Sequence, residues 1–190
     1  MSERISFYIE DNIAEVKLNR ADKHNALDHE MFEAILRIGD QIAQDDSIRA
    51  VILHGARDSF CAGIDLSMFA DEGLTHDFNE RMKRRDSSLA NYYQSAAYVW
   101  REIPVPVIAV LHGAVYGGGL QIALGADIRY AKENTKLSIM EIKWGIIPDM
   151  AMTTSLPYLM NIDKALEMAT TADILDANEA FSKGLMTAID

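Results

Sequence analysis

The stretch HGAVYGGGLQIALGADIRYAKENTKLSIMEIKWGIIPD, residues 112–149, decides how the rest of the chain is read. It begins where an apolar run, Val105 to Leu111, empties into a turn. Three consecutive glycines, Gly117, Gly118 and Gly119, open a helical pattern carried by Leu120, Ile122, Ala123 and Leu124. A strand fits Lys136 to Met140, and two carboxylates, Glu141 and Asp149, flank the apolar WGIIP segment. Glycines at a strand-to-helix junction let bare backbone N–H groups approach a ligand at the positive end of the helix dipole. Such a junction binds a phosphate or stabilises an oxyanion. The nearby carboxylates favour the oxyanion, because they repel a phosphate and can move protons.

Upstream, Ile5 to Ile9 and Ala14 to Leu18 predict two strands around an Asp11-Asn12 turn, a hairpin. The segment NRADKHNALD, residues 19–28, carries turn and cap residues into a helix predicted over Leu27 to Gln44. A short buried strand follows over Ala50 to His54, then the loop GARDSFCAGIDLSMF, residues 55–69. A charged stretch runs from Asp71 to Ser88 and includes Arg81, Lys83, Arg84 and Arg85, a pattern typical of a solvated face. Leu89 to Arg101 reads as a helix, and Pro104 and Pro106 delimit the next strand. Strand and helix alternate, which predicts an α/β fold with a mainly parallel sheet.

Bulk properties exclude several classes of function. At 190 residues, 49% hydrophobic, the chain is expected to form a single domain over residues 1–190. A net charge of −11 argues against nucleic acid as a partner, since neutralising phosphates needs a basic surface. The lone cysteine, Cys61, forms no internal disulfide and suits a reducing compartment. The opening MSERISFYIEDN has neither the basic start nor the apolar core of a signal peptide, and no run approaches the ~20 apolar residues that span a bilayer. A cytoplasmic protein, without a membrane partner, is the expectation. His24, His54 and His112 lack metal-ligand spacing, so no metal site is expected. No third glycine completes a dinucleotide fingerprint after Gly117, and no Gly-Lys-Ser/Thr marks a P-loop.

The pairing of SFCAGIDL (59–66) with HGAVYGGGLQIALGADIRYA (112–131) and SIMEIKWGIIPD (138–149) resembles the crotonase superfamily, the enoyl-CoA hydratases and isomerases. The early NRADKHNALD is similar to that family's NRP-x-K-x-NAL opening, so the resemblance runs from about Ile5 to Ile189. It implies a spiral of ββα units rather than a doubly wound sheet, and an acyl-CoA thioester as substrate with no separate cofactor. By motif match, the backbone N–H groups of Ile64 and Gly118 form the oxyanion hole for a thioester enolate. The loop Ala62, Gly63, Asp65 and Leu66 is expected to line the coenzyme A moiety, with Lys23 near its phosphates and Ala26 and Gly117 completing the binding set. Asp65 also reads as a loop-stabilising carboxylate, and Cys61 as packing.

Proton transfer separates the branches of the family. Hydratases carry a glutamate at the position of Gln121 and a second at that of Glu141. Glutamine orients a water but neither takes nor gives a proton at neutral pH. Isomerisation needs one base, and Glu141 alone suffices. Asp149, eight residues after Glu141, matches a second acid of the dienoyl-CoA isomerase branch, although that branch has aspartate where this chain has Gln121. Pro148-Asp149 reads equally as a helix start. The leading expectation is double-bond isomerisation with Glu141 as acid/base. The alternatives are hydration by a water held between Gln121 and Glu141, or a non-catalytic protein that binds CoA esters or assembles with partners. Family members continue into a helical segment that builds trimers, which is missing or shortened here; a homotrimer or hexamer is the expectation by analogy.

Overall fold

Residues 3–70, 78–86 and 88–190 are described by a computed structural model of the chain. The first hairpin forms as expected. Strand β1 (Ile5–Glu10) and strand β2 (Ile13–Leu18) pair antiparallel through Asp11 and Asn12, both at positive φ (48° and 64°). Asp and Asn tolerate that region better than other side chains, and it matches the twist of a two-residue hairpin. Alternation in β2 buries Ala14, Val16 and Leu18 and leaves Glu15 and Lys17 on the outer face.

Helix α1 (His29–Ala43) begins later than its periodicity predicts. Leu27 is extended and bridges Ile64 in a parallel pairing, while Asp28 caps the helix by accepting from the Met31 N–H at 2.9 Å. Strand β3 (Ala50–Gly55) pairs parallel with β2. Short helices α2 (Ser67–Ala70) and α3 (Phe78–Arg81) follow. Within the charged stretch 71–88, residues 71–77 and 87 lie outside the described residues. Lys83 pairs with Glu80, Arg85 pairs with Asp40, and the Arg81 guanidinium sits 5.0 Å over the Tyr92 ring. Helix α4 (Tyr92–Glu102) starts after Leu89 because Asn91 and Gln94 form a capping box there.

Strand β4 (Val107–Leu111) starts after Pro106, which has no N–H to pair but whose carbonyl accepts from Val51 N–H at 2.9 Å. Strand β5 (Ala114–Tyr116), helix α5 (Gly118–Gly125), strand β6 (Ile128–Ala131) and strand β7 (Lys136–Ser138) come next. The chain then runs through helix α6 (Ile162–Thr171), strand β8 (Leu175–Asp176), helix α7 (Ala177–Ser182) and strand β9 (Ala188–Ile189). One sheet has the order β1-β2-β3-β4-β6-β9 and is parallel except for the first pair; the other has the order β5-β7-β8. Successive units give one strand to each layer: β3 with the bridged segment 61–64, β4 with β5, and β6 with β7. The chain therefore spirals through ββα units, as the resemblance implied.

Helix α4 lies between α1 and α5 at close range. A Cβ on Gly39 would stand 2.2 Å from Val99 Cγ2, and one on Gly125 would stand 2.1 Å from the Ala97 carbonyl oxygen. Fully buried Trp100 fills this junction and donates its indole N–H to the Ala96 carbonyl at 2.9 Å. Burying such large side chains contributes roughly 1.5–3 kcal/mol each, which fixes α5 and the glycines at its start. No helix among the described residues is long and apolar enough to cross a membrane.

Candidate active site

The glycine junction is built by strand pairing. Tyr116 in β5 faces Ser138 in β7, and the Gly117 N–H donates to the Ser138 carbonyl at 3.0 Å. Gly117 turns the chain with φ +51° and hands it to α5 at Gly118. The next glycine serves packing instead: a Cβ on Gly119 would fall 2.3 Å from the Cys61 carbonyl oxygen. That contact lets the 59–66 loop lie directly against the start of α5. The loop is also pinned on both flanks. Cys61 bridges Val115, with Cys61 N–H donating to Ala114 at 3.1 Å and Tyr116 N–H donating to Cys61 at 3.0 Å. On the other side, Leu27 donates to Gly63 at 2.8 Å and accepts from Asp65 at 2.9 Å.

This second bridge orients the donor between them. Leu27 uses the backbone groups of Gly63 and Asp65, so the Ile64 N–H points away from it. Neither Ile64 N–H nor Gly118 N–H donates a hydrogen bond among the described residues. A Cβ on Gly63 would lie 3.6 Å from Gly118 N, so the segments carrying the two free donors are adjacent. Gly63 itself has φ +93°, a conformation that favours glycine.

A 3-10 turn, Glu141–Trp144, follows β7 and swings Glu141 inward rather than leaving it on a surface strand end. The Glu141 side chain is buried; its Oε1 accepts from Gln121 Nε2 at 2.7 Å. Glu141 Oε2 and Gln121 Oε1 are buried without a partner among the described residues. Burial pushes the Glu141 carboxyl above its ordinary range, the Gln121 amide opposes that shift, and Asp149 adds to it. Asp149 opens to solvent on one side, and partial burial of the other raises its carboxyl as well. The helix start anticipated at Pro148-Asp149 does not form; the chain there is irregular until a 3-10 turn at Met152–Thr154. Asp149 therefore faces the cavity without a capping duty.

One cavity of about 530 Å³ gathers these groups. Glu141, Gln121 and Asp149 line it together with Ile64, Gly118 and Gly117. Ala62, Gly63, Asp65 and Leu66 form the loop wall, and Lys23 and Ala26 complete the rim. The Asp65 carboxyl also works within its loop. Burial opposes its ionisation, but bonds from Ser67 and the Arg20 guanidinium, 2.6 Å away, bring it down to about 2. Cys61 is buried, and loss of solvation pushes its thiol up to about 12. Tyr116, Met140 and Trp144 also line the cavity; they lie inside the motifs quoted above, but nothing in the sequence singled them out as site residues. They are sequence neighbours of Gly117 and Glu141, and that adjacency is the one clue the chain offered. Among the described residues no group of three His, Cys, Asp or Glu side chains could hold a metal.

One free backbone donor at a helix start, a second in the loop lying against it and a buried carboxylate, set in a spiral of ββα units, define the crotonase class of fold. The comparisons agree: residues 8–190 match the family model "Enoyl-CoA hydratase/isomerase", and the chain belongs to that family. A Bacillus subtilis protein described as a probable enoyl-CoA hydratase is 35% identical over 164 residues, 86% of this chain and 60% of that protein. The mouse mitochondrial Delta(3,5)-Delta(2,4)-dienoyl-CoA isomerase is 30% identical over 181 residues, 94% of this chain and 55% of its own length. The chain thus spans little more than half the length of these curated relatives. A Thermobifida fusca candidate enoyl-CoA hydratase, solved with acetoacetyl-CoA, superimposes with a TM-score of 0.82 at 26% identity, covering 98% of this chain and 73% of that one.

Proposed function

We propose that the protein isomerises a carbon–carbon double bond in an acyl-CoA thioester through an enolate. The observation that carries this reading is Glu141: a buried carboxylate with one oxygen held by Gln121 and the other free, on the wall that holds the two unpaired donors. Glu141 Oε2 removes a proton from the carbon next to the thioester or from its vinylogous partner. The electron pair moves onto the thioester oxygen, which accepts from the N–H groups of Ile64 and Gly118. Preorganised donors of this kind contribute about 3 kcal/mol each to the transition state. The protonated Glu141 then returns its proton to the other end of the allylic system. A raised carboxyl pKa suits a group that must both take and give a proton near neutral pH. Asp149, which lines the same cavity, acts in this reading as a second acid where the substrate is a conjugated diene, the chemistry in the name of the mouse relative. Lys23 and the 62–66 loop hold the coenzyme A moiety, and no further cofactor is required.

A second reading has its own support. Gln121 Oε1 and Glu141 Oε2 are two buried acceptors without donors, and one water could satisfy both. Glu141 acting on that water would give hydration. Incubation of 3-enoyl-, 2-enoyl- and dienoyl-CoA in deuterated water decides between the readings, with products followed by mass. Deuterium in the acyl chain with a shifted double bond, abolished by Glu141→Gln, is the expected result. Hydrated product would transfer the assignment to hydration. Bound esters with neither product nor exchange would refute both and leave a CoA-ester-binding protein.

A further inference from the structure

A second cavity, of about 440 Å³, adjoins the first. Ile64, Ile146, Asp149 and Met150 line both, so an acyl group anchored beside Ile64 has direct entry to it. Among the described residues, Phe32, Phe69, Phe78, Met82 and Ile147 make its remaining walls apolar, with one exception, Tyr93. The Tyr93 ring packs edge-on against Phe32 with centroids 5.6 Å apart. Its Oη is buried and has no hydrogen-bond partner among the described residues. The preceding residue shows the contrast, since Tyr92 Oη donates to the His29 carbonyl at 3.2 Å.

A phenol hydroxyl sealed in an apolar wall without a partner is costly, and phenylalanine would pack there without that cost. A ligand that brings an oxygen to the same place removes the penalty. The charge around the cavity limits what that oxygen can be. Asp149 stands on the shared wall and the chain carries −11, so an anionic tail is repelled and a neutral oxygen is accepted. We propose that the acyl group carries a neutral hydroxyl or carbonyl toward its far end, recognised by Tyr93, in place of a plain hydrocarbon tail. This deepens the thioester reading above and rests on it. Tyr93 is then a specificity residue: a site that pairs a buried polar group discriminates far more steeply than one that only fits a methylene.

The test is calorimetric binding of saturated acyl-CoA thioesters in matched pairs, one ending in methyl and one in hydroxyl, over a ladder of chain lengths. At the length that reaches Tyr93, the hydroxyl ester should bind about tenfold tighter than its methyl partner. Tyr93→Phe keeps the ring, and should bring that ratio to about one without weakening the methyl ester. Tighter binding of the methyl ester at every length, or a ratio that survives Tyr93→Phe, overturns the proposal alone. Failure of every ester to bind overturns the thioester reading and this proposal with it.

Discussion

Alanine at Gly63 and at Gly145 imposes the same kind of backbone cost in two different surroundings. Both glycines have positive φ, +93° and +71°. An L side chain in that half of the map costs roughly 1–2 kcal/mol, partly offset by the unfolded-state entropy that alanine removes. At Gly145 the new Cβ has nothing within 4 Å among the described residues, so Gly145→Ala should lose about 1 kcal/mol or less. At Gly63 the Cβ meets the Tyr116 carbonyl oxygen at 2.7 Å, about half an ångström inside normal contact, and the obstacle is backbone. Tyr116 is tied to Cys61 on one side and precedes the glycine triplet on the other, so relief requires the 61–65 loop to move. Overpacking of that sort adds about 1–3 kcal/mol, for a total of roughly 2–4 kcal/mol. In a chain of this length that is a fall of about 5–15 °C in melting temperature, against about 3 °C for Gly145→Ala. Ile64 is the next residue, so its N–H moves with the loop and turnover should fall about a hundredfold. Differential scanning calorimetry of the two variants reads the stability, and steady-state kinetics on the CoA ester reads the rest. Melting temperatures within about 2 °C of each other would refute the steric argument, whatever the activity.

Three further expectations follow from the electrostatics. Because the base must be ionised and burial raises its carboxyl, kcat/KM should climb through an acidic limb above the ordinary glutamate range; Gln121→Leu, which removes a donor to Glu141, should move that limb to higher pH, and an unmoved limb would contradict the pairing. Asp65 titrates at about 2 when folded, below its unfolded value, so its stabilisation is full above about pH 4 and is lost as pH falls through 2. Asp65→Asn should therefore cost about 1–2 kcal/mol in urea unfolding at neutral pH after screening, and progressively less below pH 4. Cys61, with its thiol raised to about 12, should alkylate only as fast as the protein unfolds, and stoichiometric labelling of the native protein would show the site to be open.

The parts of the fold that were legible in the sequence are those decided within a few residues. Asp11-Asn12 accepts left-handed backbone, and the hairpin formed; Gly117 does the same at the start of α5. Leu27 shows the limit. It continues the apolar period of α1, and periodicity alone assigns it to the helix, but pairing with Ile64 holds it extended. Tertiary hydrogen bonds outweighed a local preference worth a few tenths of a kcal/mol. Pro148-Asp149 has the chemistry of a helix start and begins no helix. The second cavity was invisible, because Phe32, Phe69, Tyr93 and the i,i+4 pair Phe78 and Met82 come from four separate segments that no single spacing links.

The proposed oxyanion donors mark a deeper limit. Ile64 and Gly118 would contribute through N–H groups that every non-proline residue has, so no side chain can announce the role. What the sequence does expose is the room made for those groups: Gly63, because its neighbour is the Tyr116 carbonyl, and Gly119, because its neighbour is the Cys61 carbonyl. Motif resemblance points to Ile64 and Gly118 through these flanking glycines rather than through the donors themselves. The polar pair is the opposite case, since Glu141 and Gln121 declare their chemistry by type, a carboxylate that can carry a proton and an amide that can only hydrogen-bond, and only the fold brings them within 2.7 Å of each other. Placing a backbone-donor site from sequence therefore depends on its glycines, whereas choosing between isomerisation and hydration depends on which oxygens of the Gln121–Glu141 pair stay unpaired.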